Sequence, residues 1–379
     1  MSSTSAPAPS VRGAVRPRLS VIVPTFNEHD NIEPLVEKLQ RALEGITFEI
    51  IVVDDNSPDG TAELAKSLAA ERPNVRCIHR FGRRGLSSAC IEGMASSAAD
   101  FVAVIDADHQ HDETILPLML AEAEAGADIV VGSRYTGEGN SSAGFTKSRQ
   151  AGSTLATRLS GILTGKTLSD PMSGFFLMPR SLFNTVVPSL SREGFKILLD
   201  IVVSADRLKD GELAIAEVPY SFRPRHAGES KMSPLIVAQF LGLIVSKISR
   251  GVLPTSFLLF SLVGATGVVV HMAALAFFLF VAEFNFANGQ LAATVVAMTS
   301  NYILNNELTY ADKRLTGRRF WTGLLSFYLV CSFGTVANVS VASVIYEAQL
   351  TNVFVAGIAG VVMSVVFNYA VTRMFTWRD

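Results

Sequence analysis

The sequence predicts an α/β domain with a mixed, mainly parallel sheet, followed by an all-α domain with four transmembrane helices. Two observations carry this prediction. Between residues 18 and 110, short β-branched runs alternate with helical stretches, which is typical of parallel sheets covered on both faces. From about residue 255 onward, the chain contains four apolar segments, each long enough to cross a hydrocarbon core of about 30 Å.

Composition and charge narrow the class of protein. At 379 residues the chain is too long for one ordinary domain, and its net charge of −2 argues against a nucleic-acid binder. The three cysteines are scattered without metal-binding spacing, as expected of thiols in a reducing compartment.

Residues 1–17 are rich in Ser, Ala and Pro and have no apolar core, so we expect a disordered cytosolic tail there.

The first part of the chain predicts four strands with helices between them. The strands are expected at 19–24, 48–53, 75–79 and 101–105, and the helices at about 30–43, 61–71 and 86–97. In an open sheet of this kind, ligands bind beyond the carboxyl ends of the strands. The chemistry of the protein is therefore expected in the segments that follow these strands.

Polar motifs follow three of the four strands directly. They are PTFNE at 24–28, DDNSPDGT at 54–61 and DADHQH at 106–111. Each alone could be a turn or a helix cap, because Asn, Ser, Pro, Asp and Gly suit both roles. Three acidic clusters at one edge of one sheet instead indicate a ligand site, and a nucleoside offers the hydrogen-bond donors that Glu28 and Asp55 need.

The most informative motif is the one at 106–111. Side chains two residues apart in an extended segment point the same way, so Asp106 and Asp108 can share one divalent cation, and Gln110 continues the same face. These hard oxygen ligands predict Mg²⁺ or Mn²⁺ holding a diphosphate. A solvated turn at the strand end is the alternative. A zinc site at His109 and His111 is not expected, since no further nitrogen or sulfur ligands lie close in the sequence.

Two basic clusters and one aspartate have open interpretations at this stage. The clusters at 80–84 and 223–225 are candidates for phosphate contacts, or else solvated loops. Asp170 precedes a proline and either caps a turn or contacts a ligand.

The last third of the chain predicts a membrane domain. Its four apolar segments lie at about 255–281, 287–309, 320–346 and 353–375. A buried soluble helix is the alternative for any one of them, but four in succession with few charges favour membrane spans. Lys and Arg cluster before the first span, between the second and third, and after the fourth, which places both termini and the polar domain in the cytoplasm.

The membrane domain also repeats itself. Residues 301–310 are similar to residues 368–377, 67 positions later by their numbering, which indicates a duplicated helical hairpin. Residues 233–253 carry apolar side chains at helical spacing among polar ones, so we expect amphipathic helices in the membrane interface. A core helix of the first domain is the alternative for this segment.

The motifs resemble those of the inverting family-2 glycosyltransferases of the GT-A fold, and most closely the polyprenyl-phosphate (dolichol-phosphate) mannose synthases. The resemblance covers about 18–232 and adds GSRY at 132–135, DPMSGFF at 170–176, GFK at 194–196 and RHAGESK at 225–231. Residues 254–379 resemble the GtrA-like four-span domain fused to some of these synthases. Three positions depart from the family pattern: Phe26 stands where Tyr is common, His109 where Leu is usual, and Asp200 where Glu is frequent.

The resemblance implies a role for each residue that matches a family motif. The implied metal ligands are Asp106, Asp108 and Gln110, and the implied catalytic residues are Asp106, Asp108 and Arg134. The implied acceptor-phosphate site is Arg134, Arg149 and Ser153. Surface or ion-paired arginines are the alternative for Arg134, Arg149 and Arg225. The implied donor-binding residues are Pro24, Phe26, Glu28, Val53, Asp55, Asp106, Ala107, Asp108, Gln110, Lys196, Arg225 and Lys231.

The resemblance also implies the reaction. Mannose would pass from GDP-mannose to a polyprenyl (dolichyl) phosphate at the cytoplasmic membrane face, with inversion to a β-linked product, with Mg²⁺ or Mn²⁺ as cofactor and the lipid bilayer as partner. One alternative keeps the reaction but changes the donor to UDP-glucose, a UDP-hexosamine or a uronic acid. Another assigns glycolipid translocation to the membrane domain, although His271 is the only candidate polar group deep in a span. A processive synthase is not expected, because the chain lacks a QxxRW motif.

Overall fold

The computed structural model describes residues 16–82, 84–135, 168–191, 197–209, 212–223, 254–347 and 353–378. Several predictions fall outside these residues and are not tested by them. They are the roles of Arg149, Ser153, Lys196, Arg225 and Lys231, and the interfacial helices at 233–253. Arg16 lies within the predicted tail at 1–17, but it donates a hydrogen bond of 2.8 Å to the Ala98 carbonyl and pairs with Asp100.

The α/β part contains seven strands and six α-helices within the described residues. In chain order they are β1 (Leu19–Thr25), α1 (His29–Ala42), β2 (Phe48–Asp54), α2 (Thr61–Glu71), β3 (Val75–His79), α3 (Leu86–Ser96), β4 (Phe101–Val104), α4 (Leu116–Glu124), β5 (Ile129–Ser133), β6 (Phe176–Pro179), α5 (Arg180–Val186), α6 (Ile197–Leu208) and β7 (Ile215–Pro219). The four predicted strands and three predicted helices are confirmed within about two residues at each end.

The strands form one sheet in the order β3-β2-β1-β4-β6-β5-β7. Strand β6 runs antiparallel to both of its neighbours, and all other pairs are parallel. This confirms the predicted mixed, mainly parallel sheet. Strands β1 and β2 are buried along almost their whole length, which explains why they read as continuous apolar runs rather than as alternating ones.

The sheet register brings the polar motifs together at one edge. Pro24 pairs with Val53 and Thr25 with Asp54 across β1 and β2, so the motifs that follow these strands begin at the same level. On the other side of β1, Ile22 pairs with Val104 of β4. Because β1, β2 and β4 are parallel, residues 24–28, 54–61 and 106–111 all leave the sheet at its carboxyl edge.

Helix α1 covers this part of the sheet with one apolar face. Its buried side chains include Ile32, Leu35, Val36 and Leu39, which stand at the three- and four-residue spacing of an amphipathic helix. The helix begins directly after the first polar motif. Packing of α1 on the sheet therefore determines where Glu28 and the first turn of the helix lie.

The C-terminal part is helical. It contains α7 (Thr255–Phe280), α8 (Phe286–Leu304), a π-helical turn (Asn305–Thr309), α9 (Arg318–Glu347) and α10 (Val353–Phe375). All four predicted helices are present, although the second ends earlier than expected and continues as the π-helical turn. Among the described residues, α7 is the one helix that is long and apolar enough by itself to cross a membrane.

The predicted sequence repeat has a structural counterpart in this helical part. A Cβ atom on Gly267 would lie 2.4 Å from the side-chain amide of Asn301, and one on Gly334 would lie 2.0 Å from Oδ1 of Asn368. Both members of the second pair are 67 positions after those of the first. In each hairpin, a glycine therefore lets an asparagine side chain pack directly against the backbone of the neighbouring helix.

Two equivalent aromatic residues of the repeat contact each other. Tyr310 and Trp377 are also 67 positions apart, and their rings stack with centroids 4.3 Å apart and an interplanar angle of 14°. Trp377 is fully buried and donates a hydrogen bond of 3.1 Å to Oδ1 of Asn306. Contact between corresponding positions is what two hairpins related by a pseudo-two-fold axis would produce.

Candidate active site

The first two polar motifs are joined by a network of hydrogen bonds centred on Asp54. This fully buried carboxylate accepts hydrogen bonds from the backbone N–H and the hydroxyl of Ser57, at 2.9 and 2.5 Å. Ser57 in turn accepts from the backbone N–H of Asn27 at 3.0 Å, and Thr61 accepts from that of Glu28 at 3.1 Å. The loop after β2 therefore holds the loop after β1 in place.

Asp59 reinforces the same connection at the start of α2. Its carboxylate accepts hydrogen bonds from the N–H and hydroxyl of Thr61 and from the backbone N–H of His29. Partial burial alone would raise the pKa of Asp59, but these hydrogen bonds to the charged form outweigh it and lower the pKa below its ordinary value. Asp59 thus stays ionised and joins the first residues of α1 and α2.

Two acidic side chains expected to bind the nucleoside lie in these joined loops. Glu28 is partly exposed, and its Oε2 accepts a hydrogen bond of 2.6 Å from Nδ2 of Asn31. Asp55 is buried, and its backbone N–H donates to the carbonyl of Thr25 at 3.0 Å. The loops therefore place both carboxylates at the carboxyl edge of the sheet, as the sequence predicted.

The third motif lies beside them, after β4. The backbone N–H of Ile105 donates to the carbonyl of Ile22, which keeps the segment paired with β1 as far as Asp106. The Asp106 side chain is 37% exposed at the sheet edge. Gly174 lies against it, because a Cβ at that position would be 2.6 Å from Oδ2 of Asp106. A glycine is thus required for the carboxylate to occupy this position.

The remaining expected metal ligands lie in a tight turn. The expectation of an extended segment with its side chains on one face is wrong here, because β4 ends at Val104 and His109 has a φ of +61°. Asp108 is 7% exposed, and its Oδ1 accepts a hydrogen bond of 3.1 Å from the backbone N–H of Gln110. Gln110 is also tied to Arg223, whose backbone N–H donates to the Gln110 carbonyl at 3.0 Å. The side-chain Nε2 of Gln110 donates to the Arg223 carbonyl at 3.4 Å, which leaves its Oε1 as the atom suited to a cation.

The donor atoms fit a hard divalent cation. Two carboxylates and one amide oxygen are ligand types that Mg²⁺ and Mn²⁺ prefer. Within the described part of the chain, no group of three His, Cys, Asp or Glu side chains is arranged to hold a metal alone. Three oxygen donors do not fill the coordination sphere of Mg²⁺, so the expected ligands Asp106, Asp108 and Gln110 would need further oxygens from a phosphate or water, which is usual for Mg²⁺ sites that also bind a substrate.

His111 packs in an aromatic cluster, and its Nε2 lies 3.9 Å from Oδ2 of Asp106. Its ring stacks on Phe175 with centroids 5.3 Å apart and meets Tyr220 edge-on at 5.8 Å. Burial lowers the pKa of His111 below its ordinary value, although the nearby Asp106 and Asp108 act in the opposite direction. Its Nδ1 accepts a hydrogen bond of 3.3 Å from the backbone N–H of Asp106. His111 therefore supports the backbone of an expected ligand as a neutral side chain.

Arg134 forms a buried ion pair that the sequence did not specify. Its Nε and Nη2 donate to the two carboxylate oxygens of Asp170 at 2.6 and 2.8 Å, and its guanidinium lies 5.1 Å from the centre of the Phe222 ring. Burial alone would lower the pKa of Arg134, but the hydrogen bonds to Asp170 raise it above its ordinary value. Asp170 thus orients the arginine, which resolves the choice between a turn cap and a ligand contact in favour of a structural partner.

Four further residues singled out in the sequence are buried or ion-paired. Val53 is fully buried and Ala107 is 3% exposed, so their side chains offer almost no surface to a ligand. Arg80 is also buried and donates to the Gly85 carbonyl and the Ser88 hydroxyl, so the interpretation as a solvated loop is wrong for this residue. Arg223 pairs with Asp112 and Glu113 at 2.7 and 2.8 Å, so its guanidinium is engaged by carboxylates.

Comparison with known proteins identifies both parts of the chain. Residues 20–187 match the family described as glycosyl transferase family 2, and residues 259–377 match the GtrA/DPMS transmembrane domain. Over 366 residues the chain is 31% identical to the dolichol-phosphate mannosyltransferase of Pyrococcus furiosus, covering 95% of this chain and 99% of the other. The chain belongs to the dolichol-phosphate mannosyltransferase family.

Two further similar proteins are a second curated relative and a solved structure. The chain is 37% identical over 253 residues to the dolichol-phosphate mannosyltransferase of Mycosarcoma maydis, covering 64% of this chain and 84% of the other. Among solved structures, glucosyl-3-phosphoglycerate synthase from Mycobacterium tuberculosis is similar, with 22% identity, a TM-score of 0.47, and coverage of 62% of this chain and 80% of that one. As a family member, the protein is a glycosyltransferase with a GtrA-like C-terminal domain.

Proposed function

We propose that this mannosyltransferase transfers mannose from GDP-mannose to a polyprenyl (dolichyl) phosphate, with inversion, at the cytoplasmic face of a membrane. The observation that carries the proposal is the common position of three acidic loops at the carboxyl edge of the sheet, in a chain related over nearly its whole length to a dolichol-phosphate mannosyltransferase. The joined loops that carry Glu28 and Asp55 form the nucleoside site, and the loop after β4 faces the diphosphate.

The leaving group in this proposal is the nucleotide diphosphate. Asp106, Asp108 and Gln110 are the residues that would hold Mg²⁺ or Mn²⁺, whose charge stabilises the negative charge collecting on the departing diphosphate. Gly174 and His111 keep the Asp106 side chain and backbone at the edge of the sheet. The family motifs are the basis for assigning three more residues to the diphosphate. Positive charge near it would come from Lys196, Arg225 and Lys231.

The acceptor in this proposal is bound through its phosphate. Asp170 holds Nε and Nη2 of Arg134 and so fixes the plane of the guanidinium, and a guanidinium with a fixed plane is well suited to bind a phosphate oxygen. We assign Arg134, with Arg149 and Ser153, to the acceptor phosphate. A lipid monophosphate is already anionic near neutral pH, so the reaction needs no strong general base. Attack from the face opposite the departing diphosphate then yields the β-linked product.

The C-terminal part of the chain holds the protein in the membrane in this proposal. We propose four spans within a domain at 254–379, interfacial helices at 233–253, and a catalytic domain at 18–232. Helices α7 to α10 all carry large apolar side chains that are more than half exposed, as lipid-facing positions would be. Examples from the four helices are Val269, Leu291, Phe333 and Val362. The distribution of Lys and Arg supports a cytoplasmic location for both termini.

One experiment tests this function directly. Membranes containing the full chain are incubated with polyprenyl phosphate and a panel of radiolabelled donors: GDP-mannose, UDP-glucose and UDP-N-acetylglucosamine. We expect lipid-extractable label from GDP-mannose alone, abolished by a chelator and restored by Mg²⁺ or Mn²⁺. Label from a UDP-sugar instead would overturn the donor assignment, and activity that persists after chelation would overturn the metal assignment.

A further inference from the structure

His109 has an unusual conformation for a residue between two expected metal ligands. Its φ of +61° lies in the left-handed region, which non-glycine residues adopt rarely. The side chain is nevertheless almost completely buried, at 4% exposure. A histidine that merely occupied a surface turn would extend into solvent. Its burial indicates that the imidazole makes contacts that stabilise this turn.

Both ring nitrogens of His109 contact helix α1. Nε2 lies 3.1 Å from the backbone carbonyl oxygen of Asn31, and Nδ1 lies 3.2 Å from Nζ of Lys38. An ammonium group can only donate, so Nδ1 accepts from Lys38. Nε2 then carries the proton and donates it to the Asn31 carbonyl. Lys38 thereby selects the tautomer that the contact with Asn31 requires.

The two contacted residues lie on one face of α1 and lead to the nucleoside loop. Asn31 and Lys38 are seven positions apart, which is about two helical turns. The side chain of Asn31 donates a hydrogen bond of 2.6 Å to Glu28. A continuous path therefore runs from the turn between Asp108 and Gln110, through His109 and Asn31, to Glu28.

We propose that His109 is a positioning residue that fastens the metal-binding turn to α1 and so sets the position of Asp108 and Gln110 relative to the nucleoside loop. The proposal rests on the proposed function, because it assumes that these residues bind a cation. Leucine, the usual residue here in the proteins that the sequence resembles, has no nitrogen to make either contact. In this chain, the two halves of the donor site are joined through one imidazole and Lys38.

A competing explanation is that His109 is present because it tolerates a positive φ. Glycine tolerates that conformation better than histidine but has no side chain. The variant His109→Gly therefore separates the two explanations. If backbone tolerance were the whole role, His109→Gly would bind Mn²⁺ as well as the wild type. If the imidazole fastens the turn, this variant loses affinity for Mn²⁺, as does His109→Leu.

The test uses the purified full chain and measures Mn²⁺ binding by electron paramagnetic resonance at a fixed concentration of GDP. We expect the dissociation constant for Mn²⁺ to rise about tenfold in His109→Gly and His109→Leu, the lower end of the loss seen when groups that orient metal ligands are removed. We also expect kcat to recover at saturating Mn²⁺. The metal-free melting temperature falls whichever explanation holds, because each variant loses a buried side chain and its two hydrogen bonds. A purely structural role predicts a kcat that Mn²⁺ does not restore.

Lys38 supplies a second test that leaves the histidine in place. Lys38→Met removes the donor to Nδ1 while keeping much of the apolar stem, and we expect it to raise the dissociation constant for Mn²⁺ by up to about tenfold. The matched control is Arg41→Met. Arg41 is an exposed cation one turn further along α1, and its Nε donates to the Glu37 carbonyl within the helix. An equal loss in Arg41→Met would attribute the effect to net charge and overturn the role of Lys38.

The outcomes separate failure of this inference from failure of the proposed function. A wild-type chain that transfers mannose and binds Mn²⁺, with both His109 variants unchanged in Mn²⁺ affinity, would overturn the inference alone. A wild-type chain that neither binds Mn²⁺ in the presence of GDP nor transfers mannose would overturn the proposed function, and the inference with it.

Discussion

Arg134 and Asp170 form a two-pronged ion pair in which the carboxylate is fully buried and the guanidinium is 15% exposed. The two residues are 36 positions apart and meet because β5 and β6 are neighbours in the sheet. A guanidinium held at two of its nitrogens keeps one plane, which is what recognition of a phosphate requires. Asp170 is therefore expected to matter for acceptor use although it need not touch the acceptor.

Replacing Asp170 with Asn tests this relationship. The amide offers one acceptor in place of two and leaves the Arg134 charge without its partner. Removing one member of a buried pair costs about 3 to 5 kcal/mol, so we expect the free energy of unfolding to fall by about 3 kcal/mol. We also expect a raised KM for the lipid phosphate with little change in GDP affinity. Thermal unfolding and initial rates at varied acceptor concentration measure both effects.

The reciprocal variant Arg134→Lys serves as a control, since it keeps the positive charge but cannot bind both carboxylate oxygens in one plane. We expect it to impair acceptor use as Asp170→Asn does. Equal weakening of GDP binding and acceptor use in either variant would contradict an acceptor-side role for the pair.

Asp108→Ala should abolish mannose transfer while leaving the fold intact. The alanine removes an expected metal ligand from a turn that other contacts, including those of Gln110 with Arg223, continue to hold. Activity is measured with radiolabelled GDP-mannose, and folding by circular dichroism and melting temperature. The matched control is Asp100→Asn, at the opposite end of β4, where the carboxylate is half exposed and pairs with Arg16. Turnover that is unchanged in Asp108→Ala would refute the metal assignment.

Gly174→Ala tests the packing that places Asp106. The added Cβ would lie 2.6 Å from Oδ2 of that carboxylate, so either the side chain or the backbone must move. A displacement of about 1 Å near the chemistry can reduce turnover about 100-fold, and we expect a loss of that order. Initial rates measured across Mn²⁺ concentrations check it. If the variant keeps wild-type kinetics, the position of Asp106 is not under the control that the structure indicates.

The paired glycines of the membrane domain make a prediction about stability. Gly267→Ala and Gly334→Ala would each drive a Cβ into an asparagine side chain, and such overpacking costs about 1 to 3 kcal/mol. Gly264→Ala is the control, in the same helix as Gly267, because an added Cβ there meets nothing within 4 Å. Melting temperatures of the purified protein in detergent should fall for the first two variants alone. A similar fall in all three would mean that the close approach of the helices is not the cause.

The part of the fold that the sequence predicted well is the part built from local patterns. Strands β1 to β4 and the intervening helices follow from continuous apolar runs and helical periodicity, which act over a few residues. Strands β5 to β7 were not assigned from their residues, and the antiparallel direction of β6 was not predicted by any motif. Their pairing depends on contacts between segments far apart in the chain, such as Val130 with Leu177.

By itself, the sequence determined the order of the two parts, the three acidic motifs at strand ends and the hard oxygen donors that suit a divalent cation. These properties depend on residue type and short spacing, so they can be read along the chain. Only the tertiary structure decided which side chains support one another: Asp170 behind Arg134, Gly174 against Asp106, and Lys38 on His109, 71 positions away. Such pairs are set by the packing of helices and strands around the sheet, and no local pattern encodes a contact between residues that meet only after the chain has folded.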